Sequence, residues 1–386
     1  MNAQEYKDLE NQYGLNLYAK RDAVIVRGEG AFVFDSDGHR YIDCAAGISV
    51  ANTGHCHPEI VTAMQRQAAT LTVVANTLYN NQRAACLRRL IDVAPAGLER
   101  AYLCNSGSEA IEAALKFARL ATGRTDFVTA MRGFHGRTMG AVSATFTKKY
   151  RDPFAPLIPG FSYVPLNKIE KLDAAVTDQT AAVLLELIQG EGGVNIADAD
   201  YIAAARKLCD ERGALLIVDE IQTGLCRTGK FFACEHYDLQ PDMLTVAKAL
   251  ASGIPIGATL LNDKISVDPG LHGTTFGGNP MACAAAIATL DVMQNEDLAA
   301  RASENGEYFE QQLEASNLSQ IRELRRRGLM IGIELKGKVQ PVLEQLMARG
   351  VIALPAGATV LRLLPPLTIE REQLDIVVNH LQELLA

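Results

Sequence analysis

Residues 241–257 read PDMLTVAKALASGIPIG, and a lysine stands inside a run that is otherwise largely apolar. Met243, Leu244, Val246, Ala247, Ala249 and Leu250 are suited to burial, whereas an ammonium taken out of water costs far more than its methylene stem repays. Two readings of Lys248 are open. It snorkels to the surface at the end of a strand, or it is a neutral amine kept for covalent chemistry. The segments around it decide between them, and they also decide the fold.

Upstream, short apolar runs recur at AYLC (101–104), FVTAM (127–131), AAVLLELI (181–188) and ALLIVDE (214–220). Helical patterns lie between them, among them EAIEAALKFARLA (109–121) and YIAAARKLCDERG (201–213), the second closed by Gly213. Continuous apolar strands alternating with helices predict an α/β fold built on a mostly parallel sheet covered on both faces. AFVFDSDGHRYIDC (31–44) predicts an antiparallel hairpin turning at D-S-D-G. From about residue 286 the pattern changes to long amphipathic helices around RGLMIGIEL and ATVLRLLPPL. The expected organisation is a small α+β domain made from both chain ends, residues 1–48 and 286–386, with a large domain, 49–285, between them.

Bulk properties exclude several classes. Hydrophobic residues are 48% and charged residues 21%, a globular balance, and no uninterrupted apolar stretch approaches a bilayer span, so no membrane partner is expected. A net charge of −8 argues against a nucleic-acid surface. LRRRG (324–328), the one basic run, reads as a solvated loop. MNAQEYKDLENQYG at the start has neither an apolar signal segment nor a basic transit pattern, so a cytoplasmic location is expected. The eight cysteines form no C-x-x-C pair. GHCHPE (54–59) brings His55, Cys56 and His57 together, but Pro58 follows at once. It reads as a turn into a helix, with buried cysteines the commoner case, and no metal site is expected.

In an open α/β sheet, ligands sit at the carboxyl ends of the strands, so the chemistry is sought at each strand's exit. NSGSEA (105–110) has an S-x-x-E capping box from Ser106 to Glu109, and Gly107 lets an anion approach the helix N-terminus; alone, it is an ordinary N-cap. RGFHGRTMG (132–140) sets Phe134 on a glycine-flanked loop where it can lie over a planar ligand, and Arg137 can hold a carboxylate; alone, it is a packed loop. LLIVDEIQTG (215–224) puts Asp219 and Glu220 directly after four apolar residues, and a buried carboxylate there needs a cationic partner. With Lys248 at the next exit, the set matches the needs of pyridoxal 5′-phosphate. Its phosphate takes the helix N-terminus, Phe134 covers the ring, Asp219 keeps the ring nitrogen protonated and Lys248 is the covalent anchor. A nicotinamide enzyme would share the α/β pattern, but no G-x-G-x-x-G follows a first strand and Lys248 would go unexplained.

From about Gly28 to Leu367 the chain resembles the fold-type I, class III (ornithine-type) aminotransferases of the acetylornithine aminotransferase group. GHCHPE, NSGSEAIEAALK, FHGRT, IQGEGGV, VDEIQTG, CRTGK, AKAL and GTTFGGNP occur in the family's order. The resemblance implies that Gly107 and Ser108 bind the cofactor phosphate, that Glu220, Ile221 and Gln222 belong to the cofactor site, with Gln222 on the ring hydroxyl, and that Thr275 reaches the phosphate of the neighbouring subunit of a homodimer. It also implies substrate contacts from Arg137 and Thr274, and a pair, Glu191 with Arg362, that opens to admit 2-oxoglutarate. The implied donor is N-acetylornithine or a similar ω-amino, α-N-blocked compound of arginine biosynthesis. The alternative is a lysine or ornithine precursor held on a small acidic amino-group carrier protein, as in lysine biosynthesis. Ser108 stands where threonine is usual, Leu187 where proline is common, Cys226 where methionine or a small residue is usual, and Ala251–Ser252 where glycines follow the lysine.

Overall fold

The computed structural model describes residues 1–386. Seven strands form the central sheet: β1 (Arg100–Cys104), β2 (Asp126–Ala130), β3 (Phe161–Val164), β4 (Thr180–Leu185), β5 (Leu215–Asp219), β6 (Met243–Val246) and β7 (Gly257–Leu261), in the order β1-β7-β6-β5-β4-β2-β3. Only β7 runs against its neighbours. Every residue of β4 and β6 is buried, as covering both faces of the sheet requires.

Five of these strands coincide with the apolar runs, and β3 and β7 do not. FSYV in β3 is a half-buried edge strand whose pattern is too short to stand out. GATLL in β7 is fully buried, but it follows Gly253 and Pro255 so closely that it merges with the lysine stretch. The run 181–188 is also divided. β4 stops at Leu185, and after Glu186 and Leu187 the segment Ile188–Gln189 pairs with Asn195–Ile196 in a separate two-stranded sheet.

The helix Gly107–Thr122 lies against the sheet on buried Ala110, Ala113, Ala114 and Ala118, whose small side chains let helix and strands approach closely. It ends at Gly123 in the left-handed conformation (φ 69°), as the helix Ala199–Arg212 ends at Gly213 (φ 63°). The capping box is only half formed. Ser106 Oγ accepts the Glu109 N–H at 3.2 Å, but the Glu109 carboxylate accepts the N–H and the side-chain amide of Asn105 rather than the Ser106 N–H.

The D-S-D-G turn joins Phe32–Asp35 to Arg40–Asp43, with Asp35 accepting the N–H groups of Asp37 and His39. Arg40–Asp43 then pairs in parallel with Val351–Ile352, so one sheet is made from both ends of the chain. A second antiparallel sheet contains Ile321–Arg327, Met330–Leu335, Val360–Leu363 and Leu354–Pro355. LRRRG is therefore strand and tight turn rather than loop. Arg325 pairs with Glu334 at 2.8 Å across the hairpin, Arg326 bonds Glu310 at 2.7 Å, and acids on neighbouring elements give the arginines partners in a strand. At its tip Gly328 (φ 53°) touches backbone: a Cβ there would lie 2.5 Å from the Thr228 carbonyl carbon.

Beside that tip Arg227 is wholly buried, bonding Ser49 Oγ, Asn52 Oδ1, the Leu329 carbonyl and the Pro365 carbonyl. Burial lowers its pKa to about 9. GHCHPE is a turn into the helix Pro58–Ala68; His55 bonds Asp43 and His57 bonds Glu296, so the two imidazoles face different acids. Contrary to the expectation of burial, Cys56 is exposed, on a turn with φ 55°, while the other seven cysteines are buried. No helix is long and apolar enough to cross a membrane.

Candidate active site

A cavity of about 350 Å³ opens at the carboxyl ends of the sheet strands, and Lys248, Asp219, Gly107, Ser108, Phe134, Ile221, Gln222 and Glu191 all line it. β5 delivers Asp219 to its floor. Asp219 Oδ1 accepts the Ile221 N–H at 3.0 Å and Oδ2 lies 2.8 Å from His135 Nδ1. Because a carboxylate only accepts, that imidazole nitrogen carries the proton. Burial alone lowers the pKa of His135, but the bond to Asp219 and the charges of Asp219 and Glu186 outweigh it and raise the pKa above the ordinary histidine value.

Glu186 follows β4 immediately and is buried. It accepts the Phe134 N–H at 2.8 Å and the Gly190 N–H at 3.3 Å, tying two ligand-side loops to one carboxylate. Burial pushes its pKa up to about 7, against the opposing pull of His135.

β6 ends at Val246, and two residues later Lys248 takes a left-handed backbone (φ 39°) at the start of a short turn. A β-carbon in that region costs about 1–2 kcal/mol, so the surrounding structure imposes the conformation. The Lys248 side chain borders the cavity and forms no ion pair. Crowding by protein lowers its pKa and Arg362 adds to the effect, while Glu191, Asp219 and Glu186 oppose it.

At the N-terminus of the helix Gly107–Thr122, the N–H groups of Gly107 and Ser108 have no intrahelical acceptor. A Cβ on Gly107 would stand 2.9 Å from Ile221 Cδ1, and one on Gly136 would stand 2.2 Å from Ser108 Oγ. The backbone there is kept bare. Arg362, on the strand Val360–Leu363, does not itself line the cavity but reaches two residues that do, Glu191 at 2.6 Å and Gln222 Oε1 at 3.1 Å. Its Nε is buried without a partner.

Other residues singled out from the sequence lie off the cavity wall. Glu220 points into the scaffold, accepting Thr223 Oγ1 at 2.5 Å and the Cys234 N–H at 2.8 Å, and burial raises its pKa to about 7. Arg137 is exposed, its guanidinium carbon 3.9 Å from the Tyr150 ring centroid and 5.7 Å from that of Phe134. Thr274 accepts Asn105 Nδ2 at 2.9 Å, and Thr275 is exposed. Two residues on the cavity wall carry no assignment from the sequence, His135 and Glu186. His135 stood in RGFHGRTMG beside Phe134, and a histidine at one strand exit was a possible partner for an aspartate at another. Glu186 is the only charge in AAVLLELI and, like Lys248, is a charge inside an apolar run.

The family profile of class III aminotransferases matches residues 17–385, and the chain belongs to that family. It is 48% identical to the [LysW]-aminoadipate semialdehyde transaminase of Deinococcus radiodurans, over 100% of this chain and 91% of the relative. It is 44% identical to the acetylornithine aminotransferase of Methanocaldococcus jannaschii, over 99% and 98%. The solved ornithine aminotransferase of Toxoplasma gondii, described with partial occupancy of PLP at its active site, superposes with a TM-score of 0.95 at 34% identity, covering 100% of this chain and 94% of that one. The protein is thus an aminotransferase, and its cofactor is pyridoxal 5′-phosphate. The site suits that group: a lysine with a lowered pKa, a glycine cradle that a Cβ would obstruct, and a buried acid–imidazole pair at the floor.

Proposed function

We propose that the protein transfers the terminal amino group of N-acetylornithine, or of a similar ω-amino, α-N-blocked donor, to 2-oxoglutarate, giving a semialdehyde and glutamate. The carrying observation is the Glu191–Arg362 pair at 2.6 Å beside Lys248. While the pair is closed, Glu191 occupies the Arg362 guanidinium, which suits a donor whose reacting end bears only an amine. When it opens, Arg362 can bind the second carboxylate of 2-oxoglutarate by two parallel hydrogen bonds.

Bound pyridoxal 5′-phosphate supplies an electron sink for the carbanion formed next to the transferred nitrogen. Lys248 is the covalent anchor, and its Nζ carries the proton between carbons. Asp219, held by His135, is the counter-charge for the ring nitrogen. Gly107 and Ser108 receive the phosphate, Phe134 covers one ring face, and Ile221 and Gln222 complete the wall. We assign Arg137 and Thr274 to the substrate entrance, and Thr275 to the phosphate of a neighbouring subunit in a homodimer. The division into a large domain, 49–285, and a small one from both ends belongs to the same reading, as do a cytosolic location and the arginine pathway.

The Deinococcus relative's name supports a second reading, in which the donor is carried on a small acidic amino-group carrier protein in lysine biosynthesis. The deciding experiment compares single-turnover rates with N-acetylornithine, free ornithine and carrier-linked donor. The first reading expects N-acetylornithine to react fastest; carrier-linked donor reacting faster transfers the conclusion to the second.

A further inference from the structure

Glu191 borders two spaces. One is the cavity containing Lys248; the other, of about 460 Å³, lies beyond Gly192 and is walled by Arg132, Lys148, Arg325, Glu334 and residues 356–360. In the ion pair, the Arg362 side chain is 2% exposed and that of Glu191 33% exposed, so the carboxylate is the partner with room to move. A carboxylate that leaves a guanidinium at a half-buried site needs another partner.

The cations around the outer cavity are not equivalent. Arg325 is already held by Glu323, by Glu334 and by the Gly193 carbonyl. Arg132 and Lys148 are both exposed, with neither an acidic partner nor a side-chain hydrogen bond to the protein, and of the two only Arg132 touches the Glu191 loop. The Arg132 backbone is left-handed (φ 66°), a conformation that L side chains rarely adopt. The Glu191 loop packs against it: a Cβ on Gly192 would stand 2.8 Å from the Arg132 carbonyl oxygen and 3.0 Å from the Arg132 Cβ. Gln189 Nε2 donates to the Met131 carbonyl at 2.7 Å, fixing the same two loops together. An unpaired arginine therefore springs from a point one residue away from Glu191.

We propose that Arg132 is the second partner of Glu191: when a dicarboxylate takes Arg362, the displaced Glu191 carboxylate turns into the outer cavity and pairs with Arg132. This rests on the roles of Glu191 and Arg362 given above. Arg132 acts through Glu191 and is a positioning residue that sets how readily the site changes from an amine donor to a dicarboxylate.

The test is calorimetric binding of glutarate, an unreactive dicarboxylate, to the holoenzyme. Arg132→Gln is expected to raise the glutarate Kd about three- to tenfold, the scale of a partly exposed ion pair. Arg132→Lys should recover most of that loss. In a Glu191→Gln background Arg132→Gln should change the Kd by less than about 1.5-fold, because no carboxylate is left to receive. The same loss in both backgrounds, or none in either, overturns the proposal; the first result would mean that Arg132 attracts the dicarboxylate directly. An unchanged Kd in Arg362→Ala overturns the underlying pair as well. Failure of N-acetylornithine as a donor, by contrast, leaves the glutarate comparison intact.

Discussion

Two residues show how burial becomes chemistry. Lys248 is crowded enough to lose its proton more easily than a solvated lysine, and no acid pairs with it. Lys248→Ala should fold and retain some cofactor non-covalently, while transamination falls by ~10²–10⁴-fold or more through loss of anchor and proton carrier together. Single-turnover absorbance with the donor measures this, and residual turnover within tenfold of wild type would remove Lys248 from the chemistry. Glu220 shows the cost side. Its folded pKa, about 7, lies above the value of about 4.5 that it has when exposed. Its protonated form is therefore favoured by folding, and the stability it contributes is full below about pH 4.5 and lost as pH rises through 7. Glu220→Gln should accordingly gain on wild type by ~1–3 kcal/mol between pH 5 and pH 8. Denaturant unfolding across that range tests it; a difference that does not vary with pH would mean that Glu220 is not a raised acid.

At the scale of elements, strand exits and one helix start converge because the loops after them are short and tied. Glu186 clips the Phe134 loop to the Gly190 turn, and the helix Gly107–Thr122 is brought close enough to Ile221 that a Cβ at its first position would press on the Ile221 side chain. Gly107→Val should weaken cofactor binding by roughly tenfold or more, since overpacking at such a contact costs about 1–3 kcal/mol. Titrating dialysed protein with cofactor reads this directly, and unchanged affinity would move the anion seat elsewhere. Elements that bury both faces and end in a charge were legible in the sequence, which is why β4, β5 and β6 with Asp219 and Lys248 could be read from it. The contacts of His135 with Asp219 and of Glu186 with Phe134 join residues 84 and 52 positions apart, and no local pattern reports them. LRRRG misled for a related reason: the acids that let it be a strand lie on Glu310 and Glu334.

For the whole molecule, the separation of the small sheets was visible as a change of pattern near each end of the chain. The strand pairings within them were not, because Val351–Ile352 and Leu354–Pro355 are two-residue strands with no periodicity to read. Arg227, invisible as anything but a basic residue in CRTGK, joins segments around Ser49, Leu329 and Pro365. The parallel pairing of Ile42 with Val351 also bears on how the protein is made. All strands of the central sheet have left the ribosome once Leu261 has emerged, so that sheet can close during synthesis, whereas the strand Arg40–Asp43 waits with one edge open until Val351–Ile352 has appeared. The nascent polypeptide thus carries that hairpin with one edge unpaired until Ile352 has been made, and a chaperone meets it in that state.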